Sequence, residues 1–207
     1  MMSLSEAGRA SIEATIAEVE QRTAAELVVM AVRRSDDYGA IKLGYALAAA
    51  LFTGGLTHVV WPVVPVAWLL WMQLAAAVAS VALTSNAALL RLLAPKAQLQ
   101  RAVDQRARLA FFEHALFATR DRTGVLILLS EIERRVVILG DAGIHAKIQA
   151  AGWQRHVDHI VQAIHAGRTE QGVCETLHAI GETLKAEFPR QPDDVDELSN
   201  KVRQDPR

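Results

Sequence analysis

The sequence has little cysteine and, over a long stretch, no formal charge. Cys174 stands alone, and the 48 residues between Lys42 and Arg91 contain no Asp, Glu, Lys or Arg. A single cysteine excludes an intrachain disulfide, and nothing in cysteine usage points to an oxidising compartment. Within its helical pattern Cys174 reads as a small buried apolar residue. The net charge of −1 lacks the basic excess that nucleic-acid binding calls for. The opening stretch "MMSLSEAGRASIE" has no apolar core of the signal-peptide kind, so the first hydrophobic helix is expected to direct insertion. Missing too are a phosphate-cradling glycine loop, a Gly-x-Ser-x-Gly elbow and a His-Glu-x-x-His pair.

The charge-free run sets the organisation of the chain. A transmembrane helix needs about 20 predominantly apolar residues, so residues 41–90 have room for two, expected at 41–60 and 66–89. Burying the same run inside a soluble protein would require the roughly 160 other residues to enclose a wholly apolar hairpin, which is too little material. Pro62 and Pro65 in "VVWPVVP" break the helix, and Trp61 suits a membrane interface. Ala46, Ala50 and Gly54, and likewise Ala76, Ser80 and Thr84, form small-residue stripes that let helices approach closely in lipid. Arg33, Arg34 and Lys42 precede the hairpin and Arg91, Lys96 and Arg101 follow it. The positive-inside rule therefore places both ends in the cytoplasm of a bacterial inner membrane, in a multi-pass topology. An even number of spans returns the chain to the side it left.

The flanking segments read as one soluble domain interrupted in sequence, residues 4–37 and 96–187, with a polar tail at 189–207. Ser3 and Glu6 have capping-box spacing ahead of a helix over about residues 5–22, with Ile12, Ile16 and Val19 on one face. Residues 26–32, "ELVVMAV", read as a buried strand. A helix is expected over 96–119, with Ala102, Leu109, Phe112 and Leu116 as its stripe, Leu99, Val103, Ala110 and Phe117 beside it, and Arg106 pairing with Glu113. Strands at 125–130 and 134–139 around the turn Glu131–Glu133 form an antiparallel hairpin. A strand, a crossover helix and a strand pair in parallel, so residues 27–32 find their partner at 125–130. Two further helices carry the stripes Val157, Ile160, Val161, Ile164 and Val173, Leu177, Ile180, Leu184. The expected class is α+β: a small mixed sheet flanked by helices, with an inserted two-helix transmembrane hairpin.

The block Gly124–His145, "GVLILLSEIERRVVILGDAGIH", joins an apolar strand, an acidic turn, an arginine (Arg134 or Arg135), a second strand containing Ile138, then Gly140, Asp141 and Gly143. With Thr23 and Glu26 ahead of the first strand, it resembles the TPM domain family. The resemblance implies helices sandwiching a small mixed sheet, usually tethered to a membrane. It implies roles such as repair of photosynthetic complexes or modulation of membrane receptors, and acid phosphatase activity has been proposed for a plant member. The commoner arrangement is a signal peptide, an exported domain and a late anchor; here the hairpin lies inside the domain.

Two groups of side chains are candidates for chemistry. If the first two strands are parallel, Asp36, Asp37, Glu131 and Glu133 leave the sheet at the same end, where ligand crevices form, and four carboxylates suit Ca2+. The alternative is a solvated acidic rim balanced by Arg33, Arg34, Arg134 and Arg135. His156 and His159, with Asp158 between them, are expected on the exposed flank of their helix, and His145 beside Asp141 reads as a helix start. The function expected is a membrane-anchored interaction domain, bound to the lipid bilayer and a membrane-protein partner, that assists assembly or quality control of a membrane complex. The alternative is a metal-dependent acid phosphatase or a calcium-binding domain.

Overall fold

The computed structural model describes residues 4–148, 150–194 and 197–205. It divides into two compact units, Met1–Ser35 with Gln100–Arg207, and Asp36–Leu99.

In the first unit, helix α1 (Glu6–Glu20) opens at Ser5, whose side chain accepts from the Gly8 amide. That hydroxyl satisfies one of the amide donors every helix start leaves open. The cap expected at Ser3 falls outside the described residues. Strand β1 (Glu26–Val32) follows, then helix α5 (Lys96–Glu113), β2 (Gly124–Ser130), β3 (Arg135–Gly140), α6 (Ala142–Lys147), α7 (Ala150–His165), α8 (Thr169–Glu187) and β4 (Arg203–Asp205). The sheet order is β3-β2-β1-β4, with β1 parallel to β2 from Glu26 opposite Gly124 to Val32 opposite Ser130, and β3 antiparallel to β2.

Every residue of β2 and all but Ala31 of β1 are buried. The reason is coverage on both faces. Leu27, Val29, Val125, Ile127 and Leu129 point to a core built with Ile12 and Ile16 of α1, Ile160 of α7 and Leu177 and Ile180 of α8. Their neighbours Val28, Met30, Leu126 and Leu128 point to a second core against Val103, Ala107, Ala110 and Phe111 of α5. Alternate residues of one strand thus feed opposite layers, and an uninterrupted apolar run is what such a strand needs.

In this unit three expectations change. The 96–119 helix ends at Glu113; Ala115 turns into the left-handed region at φ 52°, and a short 3-10 turn covers Leu116–Ala118. Its buried face holds Val103, Ala107 and Ala110, whereas Leu109 and Phe112 of the expected stripe are 53% and 66% exposed. The apolar residues of α5 run nearly all round it, so periodicity alone does not select the face; the small Ala107 and Ala110 turn toward the sheet. Arg106 does meet Glu113, at 3.0 Å, and also reaches Asp205 at 2.9 Å.

The third change is in the tail. Residues 203–205 form β4, parallel to β1, with Met30 opposite Arg203 and Val32 opposite Asp205. No apolar alternation announces this strand. Carboxylates hold it instead: Glu13 accepts from the Val202 amide at 2.9 Å, and Glu26 from the amides of Glu197 and Leu198 at 3.0 and 3.1 Å.

The second unit contains α2 (Gly39–Val60), α3 (Val66–Thr84) and α4 (Ala87–Leu93), with α2 packed on α3. The small-residue stripes make this contact: Ala46 and Thr84 are buried, Ala50, Gly54, Ala76 and Ser80 are half-buried, and a Cβ added at Gly54 would collide with the Gln73 amide. The expected 66–89 helix breaks at "TSN". Thr84 and Ser85 hydroxyls bond back to the Ser80 and Val81 carbonyls, and the Asn86 side chain caps α4 by accepting from Ala88 and Leu89. Short polar side chains that bond locally favour such ends.

Candidate functional site

At the carboxyl ends of β1 and β2 the ladder continues beyond the strands, with the amides of Glu131 and Ile132 donating to the carbonyls of Val32 and Arg33 at 3.0 and 2.9 Å. Arg134, at φ 51°, closes the turn into β3. This folds Glu133 inward, only 4% exposed. One of its oxygens accepts from the Ser35 amide at 3.0 Å and the other from the Ser130 hydroxyl. With the Ser130 proton committed to Glu133, Ser35 Oγ donates to Ser130 Oγ at 2.8 Å. A serine hydroxyl on a carboxylate is the pairing of an activated nucleophile. Ser130, however, is 0% exposed. In this geometry the group is a clamp that ties the exit of β1 to the β2–β3 turn.

The four carboxylates proposed for a cation are therefore placed as follows. Glu133 is turned into the clamp, Glu131 is half-buried on the turn, and Asp36 and Asp37 are exposed at the start of the second unit, where Asp36 accepts from the Asp37 amide at 2.7 Å. Among the described residues, no three of His, Cys, Asp and Glu gather as a group that could hold a metal ion. Removing the clamp carboxylate by Glu133→Ala strands a buried hydroxyl and a backbone amide. The expected loss is about 2–3 kcal/mol of stability, read by urea unfolding of the detergent-solubilised protein; a midpoint equal to that of the parent protein contradicts the clamp.

The remaining motif residues lie at the opposite end of the sheet, except Arg135, which stands opposite Ser130 at the clamp end. Thr23 Oγ1 donates to the Phe188 carbonyl at 2.7 Å and accepts from Ala25, so it pins the end of α8 to the start of β1. Glu26 receives the two tail amides. A Cβ on Gly124 would strike the Leu116 carbonyl, one on Gly140 would meet Ile144 at 2.6 Å, and one on Gly143 would meet the Asp121 and Arg122 carbonyls at 2.6 and 2.7 Å. Asp141 caps α6, donates its amide to Gly124 and pairs with Arg122 at 3.4 Å. Arg135 reaches the side chain of Gln100. Each motif residue thus has an architectural task.

His145 is exposed, with its amide bonded to the Asp141 carbonyl at 2.8 Å, as a helix start requires. The other histidines separate. His159 is exposed, but His156 is only 6% exposed, contrary to the expectation of two solvent-facing rings. Both line a cavity of about 320 Å³ between α7 and α8, together with Arg155, Glu175, Thr176 and Ala179. Burial, then the charges of Arg155 and His159, hold His156 below the ordinary histidine range, so it is neutral at neutral pH. The sequence offered one signal for this cavity, the i, i+3 histidine pair; the facing Glu175 and Thr176 lie on another helix, and only the fold brings them together.

The chain has known counterparts. The family model described as the TPM domain matches residues 74–183, more than half of the chain and including α5, β2, β3, α6, α7 and all but the last turn of α8. The NMR structure of BA42 protein from the psychrophilic bacterium Bizionia argentinensis superimposes with a TM-score of 0.62 at 19% identity, covering 98% of this chain and 95% of that one. At that identity the likeness is one of fold. No curated protein matches the sequence. The matched segment carries the strand–turn–strand block and the glycines that crowd its end, and on that match the chain belongs to the TPM domain family.

Proposed function

We propose that this protein is a membrane-anchored interaction domain that binds and steadies another membrane protein during assembly or quality control. The observation that carries the reading is the exposure of the apolar helices. Helices α2 and α3 have 22 and 19 residues, long and apolar enough to cross a membrane, yet only 11% and 0% of their most apolar stretches are buried. At 1.5 Å per residue they measure about 33 and 28 Å, close to the roughly 30 Å of a bilayer core. Side chains such as Leu47, Phe52, Trp68 and Trp71, each at least 60% exposed, would face water in a soluble protein. At about 25 cal/mol per Å2, that apolar area strongly favours a lipid surrounding. The flanking arginines and lysines support a cytoplasmic site for the soluble unit. The tether and the architectural use of the motif residues support a role in holding a partner rather than in turnover.

Two measurements test the reading. The protein is expected to stay with membranes through an alkaline carbonate wash, and a protein lacking residues 41–90 to be released. In a Cys174→Ser background, Val63→Cys in the interhelical turn is expected to react with a membrane-impermeant maleimide in intact cells, while Lys201→Cys reacts only after lysis. Carbonate extraction of the full chain refutes the anchor, and labelling of Lys201→Cys in intact cells refutes the orientation. Purification in mild detergent is expected to retain a stoichiometric membrane protein that is lost with the hairpin. A partnerless protein refutes the interaction role.

A further inference from the structure

Helix α5 covers one face of the sheet with Val103, Ala107, Ala110 and Phe111, and its outer side is apolar as well. Among the described residues of the first unit, the large hydrophobic side chains left exposed are Leu109, Phe112 and Phe117, at 53%, 66% and 37%. They stand together. The Phe112 and Phe117 rings meet with centroids 5.6 Å apart, and Leu109 lies one turn back along the helix from Phe112. Hydrophobic residues scattered singly over a surface need no explanation, whereas their collection in one place marks a contact. Arg101, Gln105 and Arg108 share this side at helical spacing from Phe112, and all three are exposed. Neither arginine makes an ion pair among the described residues, and Glu113 at the edge is already paired with Arg106 at 3.0 Å.

Resting on the anchored, cytoplasm-facing reading above, we infer that this face of α5 lies on the headgroup layer of the anionic membrane around the hairpin. Its chemistry selects lipid over a second copy. Phenylalanine and leucine beside uncompensated arginine is the composition of a helix in the interface plane, with rings at the acyl boundary and guanidiniums at phosphate level. The cytoplasmic leaflet carries the complementary negative charge, and only the uncharged Gln105 stands between Arg101 and Arg108 on this side. A second copy docked by the same face would instead bring like charges together. Residues 85–100 link the end of α3 to this face, so the tether keeps lipid at high effective concentration and a weak surface affinity suffices.

The test uses the full chain in nanodiscs, in a Cys174→Ser background, with a nitroxide at Gln105→Cys or at Lys185→Cys. The second position is exposed on α8, which packs against the other face of the sheet. Collision of the 105 nitroxide with a water-soluble nickel chelate is expected to fall about threefold or more when phosphatidylglycerol is added to phosphatidylcholine discs. The 185 nitroxide should stay open to the chelate in both. Each arginine near an anionic surface favours docking about fivefold, so Arg101→Gln with Arg108→Gln is expected to lower the docked-to-free ratio about thirtyfold. Leu109→Ser with Phe112→Ser is expected to open position 105 as well, through loss of the apolar contact. All four side chains are exposed, so circular dichroism should report an unchanged fold. A chain that enters discs yet leaves the 105 nitroxide fully open overturns the docked face while the anchor stands. A chain that does not enter discs overturns the anchor, and the docked face with it. Shielding that is equal in both kinds of disc and indifferent to the arginine pair overturns the contact with anionic lipid. Shielding that persists in detergent and rises with protein concentration assigns the face to a second copy and also overturns it.

Discussion

Gly143→Ala is expected to cost the soluble unit about 3 kcal/mol or more, among the largest losses any single methyl can cause here. The added Cβ would lie 2.6 Å from the Asp121 carbonyl and 2.7 Å from that of Arg122. Both obstacles are backbone, and neither can step aside. The Gly143 amide donates to the Arg122 carbonyl at 3.1 Å, while Arg122 sits at φ 58° and its side chain pairs with Asp141. Moving this turn would break the hydrogen bond, the ion pair and the cap of α6 together. Gly140→Ala is the matched comparison, since its Cβ would meet only the Ile144 side chain, at 2.6 Å. Rotation could move the Ile144 Cγ2 but not its Cβ, 2.9 Å away in a fully buried residue, so the loss there is expected to be smaller, about 2 kcal/mol. Melting followed by circular dichroism should place Gly143→Ala several degrees below Gly140→Ala, at roughly 2–4 °C per kcal/mol. Equal melting temperatures would show that backbone crowding is not what selects glycine at 143.

The second large effect is expected at Glu26. This carboxylate is 6% exposed and takes one backbone amide on each oxygen, from Glu197 and Leu198. Hydrogen bonds to a charged group contribute about 1.5–3 kcal/mol each, and Glu26→Ala also leaves both amides unpaired. The expected loss is about 3 kcal/mol, accompanied by release of the strap that carries β4. Glu26→Gln keeps an acceptor and is expected to lose about half as much. Native-state hydrogen exchange reads the strap directly: the amides of Glu197 and Leu198 should exchange far faster in Glu26→Ala, while those of β2 speed up by no more than the global loss of stability explains. Unchanged protection at 197 and 198 would remove Glu26 from this role.

Much of the fold was legible in the sequence because its strongest elements are also its most apolar. "ELVVMAV" and "GVLILLS" are buried on both faces, and the charge-free run yields two helices whose ends match the proline turn. The glycine-rich block was legible as a family pattern, although not as a set of steric contacts, since those depend on Leu116, Asp121 and Ile144 arriving from elsewhere. The tail was illegible for a physical reason. Strand β4 is held by the side chains of Glu13, Glu26 and Arg106, each distant in sequence, and its own residues carry no apolar period. His156 was misplaced because an exposed flank and a cavity floor look alike on a helical wheel until α8 is laid beside it. The acidic end of the sheet was read as a cluster of carboxylates, whereas Glu133 bonds inward to two serines that sequence spacing had not singled out.

Strand β1 has both of its sheet neighbours far downstream: Val32 aligns with Ser130 on one side and with Asp205 on the other. A ribosome adding about 5–20 residues per second takes on the order of 5–20 s to make the residues between Val32 and Ser130. Throughout that interval the central strand has two bare edges, and the most apolar part of the chain is emerging behind it. Only α1, with Ile12 and Ile16, has already been made to cover one of its faces. Such an edge is a template for pairing with other chains. The order of synthesis therefore leaves residues 26–32 as an open template for pairing between nascent chains until residues 124–130 have been made.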